Sequence, residues 1–201
     1  MTDLERALPK KAEVERRFEV DPDTIPELDI TQELLIEQGY VAIGNKGSEL
    51  RVRTIVDTHT DETSYTMTVK SSSGLVRGEP INEAEIPEDL FHELWEQTHN
   101  RTLQKLRRIS SFGPHEVAID AFLQRHRGLT MTEIEFAGAT TEEKIAASER
   151  FVPFTWLGRE LTEDPNYRNR ALATDFDKFP LGGPLGEHAF KAIRLFNGEE
   201  I

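Results

Sequence analysis

Residues 11–20 read Lys11-Ala12-Glu13-Val14-Glu15-Arg16-Arg17-Phe18-Glu19-Val20 and are stopped by Asp21-Pro22. In an extended chain, side chains two apart share a face. One face here carries Glu13, Glu15 and Arg17; the other carries Val14, Arg16 and Phe18. The same alternation recurs downstream. Arg51 and Arg53 oppose Leu50 and Val52. Thr66, Thr68 and Lys70 oppose Met67 and Val69. Glu83 and Glu85 oppose Ala84 and Ile86, and Lys105 and Arg107 oppose Leu106. Glu116, Ala118 and Asp120 oppose Val117, Ile119 and Ala121, and Glu133 and Glu135 oppose Ile134 and Phe136.

An antiparallel sheet with one solvated face explains any single strand of this kind. A solubilising face tends to intersperse its signs. Here the charges are sorted strand by strand: acids, bases, acids, bases, acids. That order suits a barrel with a polar interior and its apolar faces turned outward beneath helices. A polar interior is costly unless its charges are compensated. Basic pairs, with a divalent cation held by the acids, would compensate a bound polyphosphate.

The rest of the chain is consistent with this reading. Further strands are expected over 49–57, 64–70, 77–86, 101–111, 115–122 and 129–136, with a hairpin at Phe112-Gly113-Pro114-His115. Residues 30–43 read as helix then strand. Helices are expected from Pro87 to Trp95, Thr141 to Arg150, Tyr167 to Ala173 and His188 to Asn197. The 201 residues form one domain, with a core over about 10–180 and a linker and helix over 181–201. The formal charge of −13 argues against long nucleic acids and anionic membranes. Cysteine is absent, which excludes thiol nucleophiles, disulfides and zinc–thiolate sites. No apolar run reaches the roughly 20 residues of a membrane helix. The charged N-terminus does not resemble a signal peptide, so a cytoplasmic location is expected. The 6 histidines show no ligand spacing and read as surface or turn residues.

Glu13-Val14-Glu15-Arg16-Arg17-Phe18 resembles the Glu-x-Glu-x-Lys signature of the CYTH superfamily, the triphosphate tunnel metalloenzymes. Further segments follow in the family's order: Glu37-Gln38-Gly39-Tyr40, Arg51-Val52-Arg53, Thr68-Val69-Lys70, Glu83-Ala84-Glu85, Lys105-Leu106-Arg107, Asp120-Ala121-Phe122 and Glu133-Ile134-Glu135. Trp156 to Thr162 and Asp164 to Asn169 resemble its closing segment. Each motif is weak alone; nine in order behind the signature are specific. The one departure is Arg17 where the family has Lys.

The resemblance implies an α+β fold, an eight-stranded antiparallel barrel with a polar interior, and a Mg²⁺- or Mn²⁺-dependent enzyme acting on a triphosphate-containing small molecule. It implies Glu13, Glu15, Glu133 and Glu135 as metal ligands, with Asp120 as a further candidate. Arg17, Arg51, Arg53, Lys70, Lys105 and Arg107 would grip phosphate, and Glu13, Glu15 and Lys70 would carry the catalytic work. Glu83 and Glu85 read as charge balance, and Tyr167-Arg168 as part of a helix plugging one tunnel end. Three activities fit these parts: a triphosphatase, a class IV adenylyl cyclase, and a binding module without turnover.

Overall fold

A computed structural model describes residues 13–44, 48–70 and 82–174. Among these, nine strands form one antiparallel sheet: β1 (Glu15–Val20), β2 (Ile30–Ile43), β3 (Glu49–Asp57), β4 (Thr63–Lys70), β5 (Asn82–Glu85), β6 (Thr102–Phe112), β7 (His115–Phe122), β8 (Thr130–Glu135) and β9 (Leu157–Glu160). Their order across the sheet is β5-β4-β3-β2-β6-β7-β8-β1-β9. Three helices accompany it: α1 (Glu88–Glu96), α2 (Thr141–Arg150) and α3 (Asn169–Thr174). The fold is therefore α+β. The expected helix at 188–197 and linker at 181–186 lie outside the described residues.

Two expectations are corrected. Residues 30–43 form a single 14-residue strand, with no helical portion. Both of its edges are paired, β2 to β3 on one side and to β6 on the other, and those ladders override any local helical tendency. The eight-stranded closed barrel is instead a nine-stranded sheet with two edges, β5 and β9. β9 pairs with the outer edge of β1 through Phe18↔Glu160 and Val20↔Leu157, with a register shift between them, and among the described residues no ladder joins β9 to β5.

The sheet nevertheless curls strongly. Five strands separate β4 from β1 in the sheet order, yet Lys70 Nζ on β4 lies 3.6 Å from Glu13 Oε2, just ahead of β1. Side chains from distant strands thus share one interior.

The outer face is apolar, as the alternation predicts. Phe18, Val117, Ile119, Ile134 and Phe136 pack beneath Ala147 of α2 and beneath Phe151, Phe154 and Trp156 of the segment that follows. Thr140 caps α2 by accepting from the Glu143 N–H. On the far side α1 lies against β2, β3 and β4 and places Phe91 and Trp95 over them. That approach requires Gly39. A Cβ there would meet Thr98 Cγ2 at 2.5 Å and the Trp95 ring at 3.0 Å. Gly39→Ala should cost about 1–3 kcal/mol as an overpacking defect. A thermal melt checks this, and an unchanged midpoint would show that α1 moves aside without strain.

The interior differs from end to end. At one end Tyr40, Leu103, Phe122, Leu129 and Met131 pack with Leu172 and Ala173 of α3, all buried. At the other end the interior is charged. The polar interior expected from the sequence holds for that half only. The apolar half was legible as alternation but not as location, because helix α3 had to be folded in to cover it. His126 helps hold α3: it is buried, and its Nε2 lies 2.7 Å from the Leu172 carbonyl. It lies in a 3-10 turn, Gln124–His126, so of the expected surface or turn placement the turn holds and the surface does not.

Candidate functional site

The charged half encloses a cavity of about 240 Å³. Glu13, Glu15, Glu133, Glu135 and Glu116 line one side; Arg51, Arg53, Lys70 and Arg107 line the other, with Glu83, Ala118 and Asn169 between. Strand pairing sets this arrangement. Glu15, Glu135 and Glu116 lie abreast on β1, β8 and β7 as register partners, and Arg17, Glu133 and Ala118 form the next rung. Arg51 and Arg53 reach the interior from β3, opposite Tyr40 and Gln38 of β2.

The two sides are electrostatically opposed. Among the described residues, no carboxylate lies within ion-pair distance of Arg51 or Arg53. Arg51 donates to Thr68 Oγ1 (3.2 Å) and Arg53 donates to Gln38 Oε1 (3.3 Å), both neutral acceptors. Desolvation, then the charges of Arg51 and Arg107, push the Arg53 guanidinium down to about 9, so it stays charged at neutral pH. Arg51 Nε is buried without a hydrogen bond, as is Asn169 Oδ1. Buried donors and cations without anionic partners are expensive unless a ligand supplies them.

On the acidic side the strain has the opposite sign. Burial holds the Glu135 carboxyl above its usual range; Glu13, Glu116 and Glu15 add to this, and Lys144 opposes it. A carboxyl whose folded pKa is raised stabilises the fold when protonated, and that contribution is lost as pH rises through the folded pKa. At neutral pH the charge on Glu135 is therefore a liability in the ion-free protein. Glu135→Gln should raise the melting temperature slightly in chelator at pH 7 and make no such difference at pH 4. Melts at both values check this; an equal rise at both would point to packing instead.

Asp120 sits elsewhere. It is fully buried at the cavity floor, and both oxygens are engaged: Lys105 Nζ donates to Oδ2 at 2.6 Å, and Arg107 Nε and Nη2 donate to Oδ1 and Oδ2 at 2.7 and 2.6 Å. Arg107 Nη2 also donates to Glu133 Oε2 at 2.6 Å. Burial lowers the affinity of Arg107 for its proton, but Asp120 and Glu133 more than reverse this. Lys105 is wholly enclosed and does not border the cavity. Burial and then Arg107 push its ammonium down to about 8, against Asp120 and Glu133. Arg17 is likewise buried and off the cavity wall.

Of the residues expected from sequence, Glu13, Glu15, Glu133, Glu135, Arg51, Arg53, Lys70 and Arg107 are brought together. Asp120, Lys105 and Arg17 stand behind them. Glu83 reaches the cavity whereas Glu85 does not line it. Glu116 and Asn169 are additions. Glu116 was visible as the first acid of its strand face; Asn169 arrives on α3 and had no strand pattern to reveal it. Among the described residues no three carboxylates or imidazoles converge into a ready coordination cluster.

A curled antiparallel sheet thus encloses facing acidic and basic walls, and known proteins resemble this chain. It is 33% identical over 162 residues to an inorganic triphosphatase of Nitrosomonas europaea, covering 80% of this chain and 96% of that protein. It is 30% identical over 161 residues to an inorganic triphosphatase of Acetivibrio thermocellus, covering 80% and 92%. A crystal structure of an inorganic triphosphatase superposes with a TM-score of 0.57 at 31% identity, over 80% of this chain and 93% of that one. A Pyrococcus horikoshii protein at 18% identity and TM-score 0.51, over 67% and 84%, shares the fold. No family model matches the chain. The chain belongs to the CYTH superfamily, the family of these inorganic triphosphatases.

Proposed function

We propose that the protein hydrolyses inorganic triphosphate in this cavity with the help of a divalent cation. The observation that carries the proposal is the pairing of Arg51 and Arg53, cations without acidic partners among the described residues, with an opposing wall of carboxylates. A triphosphate chain satisfies the first and a hard cation the second.

The residues fit a magnesium or manganese ion by donor chemistry and by the mutual repulsion around Glu135. Glu13, Glu15, Glu133 and Glu135, joined by Glu116, would hold it. When bound, such an ion polarises phosphate oxygens and lowers the pKa of its water. The protein's own part is positioning and neutralisation, which phosphoryl transfer chiefly requires. Arg51 and Arg53 fix the phosphate oxygens as planar forks, while Arg107, whose fork is taken by Asp120 and Glu133, adds its charge to the wall. Lys70 is the one amine among the described residues lining the cavity and adds a compact charge beside the planar forks. Asp120 anchors Arg107 and Lys105, a supporting role in place of metal ligation. Water adds to a terminal phosphorus, the bridging P–O bond breaks, and phosphate and pyrophosphate leave.

Among the described residues the lining is almost wholly charged or amide-bearing, with Ala118 the exception, and offers no apolar platform for a nucleobase or another ring. This favours the inorganic substrate. The test is phosphate release from tripolyphosphate, ATP and thiamine triphosphate with Mg²⁺ or Mn²⁺. Release from tripolyphosphate that disappears in Glu15→Gln is the expected result. Cyclic AMP with pyrophosphate from ATP would establish a cyclase instead, and tight binding without release would establish a binding module.

A further inference from the structure

We infer that Arg17 is a positioning residue, acting through Glu15, Glu133 and the Tyr167 carbonyl, and not a phosphate ligand. The inference rests on reading the cavity as a triphosphate site. The Arg17 side chain is 4% exposed and does not border the cavity. Its Nη2 lies 3.2 Å from Glu15 Oε1 on its own strand. Its Nε lies 3.6 Å from Glu133 Oε1 on β8. Its Nη1 donates to the Tyr167 carbonyl at 3.3 Å, in the 3-10 turn (Pro165–Tyr167) that leads into α3. The backbone is tied down as well. The Arg17 N–H donates to Thr162 Oγ1 at 3.0 Å, and its carbonyl accepts from the Leu161 N–H at 2.7 Å.

One guanidinium thus lies against three groups: it makes ion-pair contacts to Glu15 and Glu133 and one hydrogen bond, to the Tyr167 carbonyl. A planar guanidinium spreads its N–H groups over three separate nitrogens, whereas an ammonium presents its three donors from one point. Arg17 therefore sets the spacing of two candidate metal ligands and seats the turn that delivers Asn169 to the cavity. Phosphate binding is left to Arg51, Arg53 and Lys70, with Arg107 adding its charge, and all four line the cavity. Arginine at this position, where the family signature has lysine, gives the chain a tie between its acidic wall and its α3 segment.

The experiment compares full-length wild type with Arg17→Lys and Arg17→Gln. Amide hydrogen exchange of residues 165–174, without metal or phosphate, should speed up about tenfold in both variants, as a lost charge-assisted hydrogen bond implies. Mn²⁺ binding without triphosphate, read by the electron paramagnetic resonance of free Mn²⁺, should weaken roughly tenfold, the usual scale for an outer-shell partner of a metal ligand. The KM for tripolyphosphate should change less than about threefold while kcat falls. Unchanged exchange and unchanged Mn²⁺ affinity with a KM raised tenfold or more would overturn the inference. The exchange arm decides even if the protein proves to hydrolyse nothing, so failure here is distinct from failure of the proposed function. Arg17→Lys keeps the cation and the stem, and serves if Arg17→Gln does not fold.

Discussion

Asp120→Ala should be the most destabilising single change in the cavity region. Asp120 is the direct partner of Lys105, and both side chains are fully enclosed. Removing the carboxylate leaves an ammonium with nowhere to find water and takes both short hydrogen bonds from Arg107. Breaking a buried pair from one side typically costs about 3–5 kcal/mol. For a chain of this size that corresponds to a fall in melting temperature of roughly 10 °C. Adding Lys105→Met should restore part of the loss, since the stranded charge is then gone and only the Arg107 contacts are missing. A double variant as unstable as Asp120→Ala alone would show that the Lys105 charge is not what the carboxylate compensates. A melting temperature within a degree or two of wild type would show that the floor can rehydrate, and the view of Asp120 as an anchor would fall.

Arg53→Ala should have the opposite character: little stability lost, most activity gone. Arg53 rests on a neutral amide, and its neighbours Arg51 and Arg107 repel it. Deleting it relieves that repulsion, so the melting temperature in chelator should hold or rise. A preorganised cation facing the reacting phosphate is commonly worth about 10²–10³ in kcat. Tripolyphosphate hydrolysis should fall by that order, and the thermal stabilisation that tripolyphosphate gives the wild type should shrink. Arg53→Lys should recover only part of the rate, because the ammonium is a point charge and not a fork. A variant that melts much earlier with its remaining rate intact would mark Arg53 as structural and move phosphate recognition to Arg51 and Lys70.

The strand faces were readable because a two-residue period survives any amount of curling. Arg51-Val52-Arg53 and Glu133-Ile134-Glu135 could be assigned to one wall or the other from alternation alone. Depth along the strand was not readable. Lys105 and Arg107 look equivalent in sequence, yet only the second reaches the cavity, because the first lies one rung nearer the apolar end beside Phe122. Asp120 carries the same alternation signal as Glu116, but they end at the floor and at the lining. The sheet's open edges were also hidden, since one of them is the four-residue strand β9, which pairs with β1 across more than 130 residues. Asn169 and the burial of His126 belong to contacts made by α3, whose position no local pattern encodes.

The packed end of the sheet has a consequence for traffic. Tyr40, Leu103, Phe122 and Met131 meet Leu172 and Ala173 without solvent exposure, and Arg125 and His126 clamp α3 over them. Among the described residues, side chains fill that end. If the proposed triphosphate site is right, cargo would enter and leave by the charged end, and a long chain would offer only its tip.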